Sequence, residues 1–349
     1  MTVDIARGLA VLGMVFVHCV PTEGATSMGG GLATSLAEFL EGKSAVLFCV
    51  LAGMSWAIQA RRVQATLDFG VYVLRRCCAL AAVGLLVHFT VWPTEILLPL
   101  ACMMPLCLGL GCVGPMAVLS AGLLLLVCAA VLPAFMDFYP DIEGAAGASS
   151  SGSHSVVWTV VRHLLFDGVY PLVPWMVFAL FGFALMQKGW LAVEQTKKWF
   201  WTCLIVACGL QVFSAFVNAY DDELGDLSLY LSSTWAPATV PFILLTSCSA
   251  MVVIAGLALW QQTLGLPRPF HHIASIGRAS LTHYLLHICV VMVPLRRLFP
   301  NEDWPVPIGV AAFFAYAVMA WILSVLWFRR FAHGPVEALW KLASGVSRG

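Results

Sequence analysis

Histidine is the side chain whose ordinary pKa suits proton transfer near neutral pH, and four of the nine histidines in this chain stand next to other polar groups within apolar sequence. His18 closes the first apolar run, TVDIARGLAVLGMVFVHCV, while Glu41, Lys43 and Ser44 open the second, FLEGKSAVLFCVLAGMSWA. A charge inside hydrocarbon costs about 2.5–3.5 kcal/mol on insertion scales, so it faces a partner or a water-filled cavity. One helix ends where the next begins, so His18, Glu41 and Lys43 can meet at one membrane face. The competing reading is that they are interfacial side chains reaching for water. Arg162, His163 and Asp167 precede a span that opens with Tyr170, Pro171, Pro174 and Trp175. On an α-helix His163 and Asp167 would share a face, and a carboxylate there would fix the imidazole tautomer. A helix-end salt bridge beside an aromatic membrane anchor accounts for the same residues. In IASIGRASLTHYLLHICVV, Ser280, His283, Tyr284 and His287 fall on one helical face. That face is either a functional one, with His287 near mid-span, or a hydrogen-bonded packing surface between helices.

A second kind of chemistry is suggested by arginine. Arg61, Arg62, Arg75, Arg76, Arg278, Arg329 and Arg330 all lie near span ends on one side of the expected topology. Guanidinium groups bind phosphate bidentately, so the set would suit a nucleotide-phosphate donor such as coenzyme A. Anchoring to anionic lipid accounts for the same residues. Glu95 and His88 read as interfacial residues. No P-loop, nucleophile elbow, zinc-protease helix or dinucleotide fingerprint occurs in a usable context.

The elements that must position these residues are membrane helices. The chain has 349 residues, is 61% hydrophobic and only 10% charged, against about 25% charged in a soluble domain. The expected fold is an all-α integral membrane protein, a polytopic bundle of about ten transmembrane helices. A span takes about 20 mostly apolar residues, which predicts spans at 4–20, 43–60, 71–92, 95–113, 116–135, 169–187, 200–218, 238–260, 276–295 and 307–328. The chain reads as a single domain over 1–349, with a flexible extracytoplasmic loop at 136–160 and an interfacial helix and tail at 332–349. With both termini in the cytoplasm, fourteen of the eighteen Lys and Arg residues fall inside and four, Lys43, Arg162, Arg296 and Arg297, fall outside. That distribution places the protein in the cell membrane as a multi-pass chain. The twelve cysteines include no CxxC pair and mostly lie in apolar runs. They read as small hydrophobes, with neither a disulfide framework nor a metal site expected. No basic stripe with interleaved aromatics points to nucleic acid.

Several stretches resemble one bacterial family. ARGLAVLGMVFVH with EGKSAVLFCVLAG, then VWPTEILLPLAC, VYPLVPWMVFALFGFAL, IGRASLTHYLLH and HGPVEALW resemble, in order, the YeiB-like membrane proteins. These are distant relatives of the heparan-α-glucosaminide N-acetyltransferases. The resemblance implies a membrane acyltransferase-like bundle that passes an acetyl group from cytoplasmic acetyl-CoA, or another acyl-CoA, to a sugar amine on the far side. It implies inner arginines facing the donor and an outer polar cluster facing the acceptor. In those acetyltransferases a functional histidine precedes the second span; here no histidine lies between His18 and His88. His18 stands where such relatives tend to carry asparagine.

Together these readings give an acyl-CoA-dependent transferase acting on a hydroxyl or amine of a cell-envelope glycan or glycolipid. His18 assisted by Glu41 is the expected base, with His287 and His163 as rivals. Lys43 and Arg162 are the expected oxyanion partners. Ser44, Asp167, Tyr170, Trp175 and His283 are expected at the acceptor, and Arg61, Arg62, Arg75, Arg76 and Arg278 at the donor. Membrane lipid and the acceptor are the expected partners, with a homodimer as a further association. The alternative is a transporter or exporter of a small polar metabolite, in which the same buried polar residues would carry substrate.

Overall fold

The computed structural model describes residues 1–22, 31–63, 69–92, 94–134, 161–187, 193–235, 238–301 and 304–344. The first half holds α1 (Thr2–Cys19), α2 (Gly31–Leu40), α3 (Lys43–Val63), α4 (Phe69–Thr90), α5 (Leu97–Val113), α6 (Pro115–Val131) and α7 (Leu172–Gln187). The second half holds α8 (Val193–Ala219), α9 (Val240–Thr263), α10 (Arg268–Arg278), α11 (Ser280–His287), α12 (Val306–Trp327) and α13 (Pro335–Ala343). No β-strand forms among the described residues, so every long apolar run satisfies its backbone within a helix, as hydrocarbon requires.

Six segments are long and apolar enough to cross a membrane: α1, α2 with α3, α4, α8, α9 and α12. A seventh is the bent pair of α10 and the helical stretch Ser280–Leu298. Three shorter apolar helices, α5, α6 and α7, occupy further expected spans. The expected bundle of membrane helices is therefore observed, with seven segments of spanning length among the described residues. The tract 136–160 lies outside the described residues.

Two expectations are corrected. Residues 31–40, which lie between the spans expected at 4–20 and 43–60, form α2. Ala33, Ala37 and Leu40 recur at helical spacing and pack on Phe16, Val20 and Val306, which gives this short helix a buried face. Gly42, in the left-handed region at φ 67°, turns the chain from α2 into α3. The second correction concerns the span expected at 276–295, which is broken at Ala279 with a bend of 75°. Ala279 leaves the helical region at φ −110° and ψ 34°. The break exposes the first N–H groups of α11, and Glu337 accepts them from Leu281 at 2.7 Å and Thr282 at 3.1 Å.

The contacts divide the chain into two compact units. The first holds residues 1–51, 191–200 and 250–349. In it α1 and α10 pack through glycine: a Cβ on Gly277 would fall against the Asp4 carbonyl and 2.7 Å from the Gly8 nitrogen. Small residues let membrane helices approach closely enough to gain dispersion contact, which is the main attraction available in lipid. Phe16 meets Phe313 edge to face at 5.0 Å, and the Trp304 indole donates to the Cys19 carbonyl at 2.7 Å. The second unit holds residues 52–190 and 201–249. There Trp175, Phe178 and Phe242 form an aromatic core, and Gly53 lies against the Ala179 carbonyl.

Candidate active site

The first unit gathers a polar cluster from α1, α11 and α12. His18 lies in the last turn of α1 and is half-buried; His287 ends α11 and is 0% exposed. Their rings stack with centroids 5.4 Å apart, and His18 Nδ1 lies 3.1 Å from His287 Nε2. Directly after His287 the helix widens into a π-helical stretch, Ile288–Met292. Such stretches recur at functional sites, because they change which side chains face a given direction. Arg296, in the last turn of the helix Val293–Leu298 that follows, lies near enough to act electrostatically on His18.

One proton is shared along the contact between the two imidazoles. On the other side of its ring, His287 Nδ1 is buried with no hydrogen-bond partner among the described residues. Either imidazole can supply the hydrogen of this contact, according to tautomer. With His18 Nδ1 as the donor to His287, His18 Nε2 would be in the acceptor form that a general base needs. Fully buried and 3.1 Å away, His287 restricts the orientation of the His18 ring.

A second histidine pair lies beside it. His283 is 2% exposed, and its Nε2 lies 2.7 Å from Ser324 Oγ on α12. Tyr316 donates to the His283 carbonyl at 2.8 Å and lies 3.3 Å from its Nδ1. The phenol proton is committed to the carbonyl, so Nδ1 is the donor to the phenol oxygen and Nε2 accepts from Ser324. Tyr284 meets His287 edge to face at 5.5 Å.

Of the sequence-predicted residues, the structure joins His18 to His287 and places His283 one turn away on the same helix. Lys43 turns onto α2, donating to the Phe39 carbonyl at 2.6 Å with its ammonium 4.4 Å from the Phe39 ring. Glu41 occupies the turn between α2 and α3, and Ser44 is buried against Gly13 of α1. His163 to Asp167 wind as a π-helical turn rather than an α-helical one, and the Asp167 side chain lies outside the described residues. Arg162 precedes that turn, exposed. Trp175 is 0% exposed and meets Tyr170 at 4.9 Å; it is a core residue of the second unit rather than a surface anchor.

The arginines have divided fates. Arg61 donates to the carbonyls of Met186 and Gln187, capping the end of α7. Arg278 donates to the Ala332 carbonyl and stacks on Phe328 at 4.1 Å. Arg76 is buried and donates to the Tyr72 hydroxyl at 2.9 Å, whereas Arg75 is exposed. The Arg62 side chain lies outside the described residues. Glu95, read as interfacial, is 5% exposed and caps α5 through the N–H groups of Leu97 and Leu98. Sequence reasoning missed Tyr316, Ser324, Arg296 and Glu337. The one-turn step from Tyr316 to Ala320 to Ser324, all buried on one face of α12, was the legible signal for the first two.

Comparison with known proteins places these elements in a family context. Residues 1–209 match the family described as "Heparan-alpha-glucosaminide N-acetyltransferase, catalytic". Residues 185–346 match the family described as "Protein of unknown function (DUF418)". The chain is similar to "Uncharacterized protein YeiB" of Escherichia coli (strain K12), 31% identical over 174 residues. That match covers 46% of this chain and 42% of YeiB, so the chain spans under half the length of that relative. No solved structure matches.

Proposed function

We propose that this chain, which belongs to the YeiB-like family related to the heparan-α-glucosaminide N-acetyltransferases, is a membrane acyltransferase. It moves an acyl group from an acyl-CoA to a hydroxyl or amine of an extracytoplasmic glycan or glycolipid. The observation that carries this is the His18–His287 pair, a half-buried imidazole held by a fully buried one. With its Nδ1 hydrogen directed at His287, His18 takes the proton of the acceptor hydroxyl or amine on Nε2 as the acceptor oxygen or nitrogen bonds to the acyl carbon. The carbon–sulfur bond breaks, and the departing thiolate receives a proton. Arg296, close to His18, is placed to stabilise negative charge as it develops. His287 positions His18 rather than touching substrate.

The test uses the purified full chain in detergent or nanodiscs, with acyl-CoA and amino- or hydroxyl-bearing sugars, following thiol release and acylated product. A positioned base contributes about 10²–10⁴-fold, so His18→Ala should fall by that order while elution and helicity stay unchanged. His287→Ala should lower kcat with little change in KM. Equal turnover by wild type and His18→Ala, with wild type active, would overturn the assignment of the base.

One observation favours a second reading. The helix carrying His287 is broken by 75° at Ala279, and discontinuous helices line substrate sites in transporters. A transporter would show flux of a polar solute into proteoliposomes without any acyl-CoA requirement, and no acylated product.

A further inference from the structure

The first unit contains a cavity of about 610 Å³ between α11, α12 and the chain leading into α13. Its volume lies in the range of small-molecule sites. Leu286, Leu323, Leu326, Trp327, Phe328 and Phe331 wall it, the His283–Ser324 pair forms its floor, and Arg329 and Arg330 stand at its rim. Leu323, Leu326 and Phe331 are each about half-exposed, so the apolar wall is open along the side of a 22-residue apolar helix. Both arginines are exposed and follow directly on that helix. Trp and Arg at the end of an apolar helix mark the level of lipid headgroups.

We propose that this groove is a binding site for one anionic phospholipid, with its phosphate on Arg329 and Arg330 and an acyl chain along the apolar wall. Charge decides the occupant. Two guanidinium groups at a headgroup-level rim match a phosphate diester through paired N–H donors, and a zwitterionic headgroup would bring its own cation against them. The lateral opening admits a chain from the bilayer without its leaving hydrocarbon. Of the other cations nearby, Arg278 is bound to the Ala332 carbonyl and stacked on Phe328, and Lys341 lies 3.0 Å from His333 Nε2. Neither lines the groove, which leaves the rim to Arg329 and Arg330. The floor ties the site to the chemistry, because His283 stands on α11 one turn before His287. A lipid in the groove therefore buttresses the helix that holds His18 in position.

The experiment uses delipidated full chain in neutral detergent, titrated with phosphatidylglycerol or phosphatidylcholine of matched chains, read by native mass spectrometry. Saturable retention of one phosphatidylglycerol, at least tenfold tighter than phosphatidylcholine, is expected. Arg329→Gln with Arg330→Gln should abolish the preference. Leu323→Trp should fill the groove and weaken binding with both arginines kept. All three positions are exposed, so these variants are expected to fold, which elution profile and circular dichroism verify. Unsaturable binding, equal retention of the two lipids, or an unchanged preference in the double variant would overturn the proposal. Displacement of the lipid by acyl-CoA, in competition and dependent on the same arginines, would overturn it in favour of the donor. Binding is read without turnover, so failure of the transferase reading leaves this result interpretable.

Discussion

Gly277→Ala tests the packing on which the site depends. A Cβ at this position would fall against the Asp4 carbonyl and 2.7 Å from the Gly8 nitrogen, where real Cβ contacts stay beyond 3.0 Å. Both neighbours are backbone, so no rotamer change relieves the clash, and α1 and α10 must separate. Overpacking costs about 1–3 kcal/mol, and unrelieved backbone contact puts this case in the upper part of that range. Alanine recovers up to about 1 kcal/mol of helix propensity over glycine. The net expectation is a loss of about 1–2 kcal/mol. Gly122→Ala is the control: this helical glycine in α6 has nothing within 4 Å of the added carbon, so it should be neutral or stabilising by up to about 1 kcal/mol. The assay is thermal unfolding of the two variants and wild type side by side in one detergent, scored by rank order of midpoints. Activity or ligand retention should fall with Gly277→Ala, since α1 also carries His18. If Gly277→Ala unfolds with or above Gly122→Ala, the close α1–α10 contact is wrong and so is the positioning scheme built on it.

Glu337→Ala should destabilise by about 2–4 kcal/mol: Glu337 accepts from the Leu281 and Thr282 N–H groups and the Thr282 hydroxyl, hydrogen bonds to charged groups contribute about 1.5–3 kcal/mol each, and at this half-buried site water replaces part of the three. Glu337→Gln should restore part of that, checked by the same unfolding assay. Tyr316→Phe should cost about 1 kcal/mol for the lost bond to the His283 carbonyl. It should also release His283 from its assigned tautomer, visible as a shift of its imidazole nitrogen resonances. Arg61→Ala removes a cation from the C-terminal carbonyls of α7 and should cost no more than about 1 kcal/mol at this exposed position. A larger loss would assign Arg61 a partner beyond the helix end.

What the sequence by itself determined is what local rules encode. Run length and charge content require membrane helices, because hydrocarbon cannot hydrate a backbone, and the helices lie where apolar runs predict them. Periodicity put His283, Tyr284 and His287 on one face of α11. The ordered motifs carried the family. Other features had no local signature. The stretch between the first two expected spans hid α2, whose buried face exists only because Phe16, Val20 and Val306 are there to cover it. The break at Ala279 depends on Glu337, a carboxylate more than fifty residues later that satisfies the freed N–H groups. The partner of His18 is 269 residues away, and the expected partners from the next helix include Lys43, which bonds instead to the Phe39 carbonyl. Spacing along a chain fixes which way a side chain points from its own helix. Which side chain it meets is fixed by how helices pack, here by Gly8 and Gly277 drawing α1 and α10 together, and only the tertiary structure decides that.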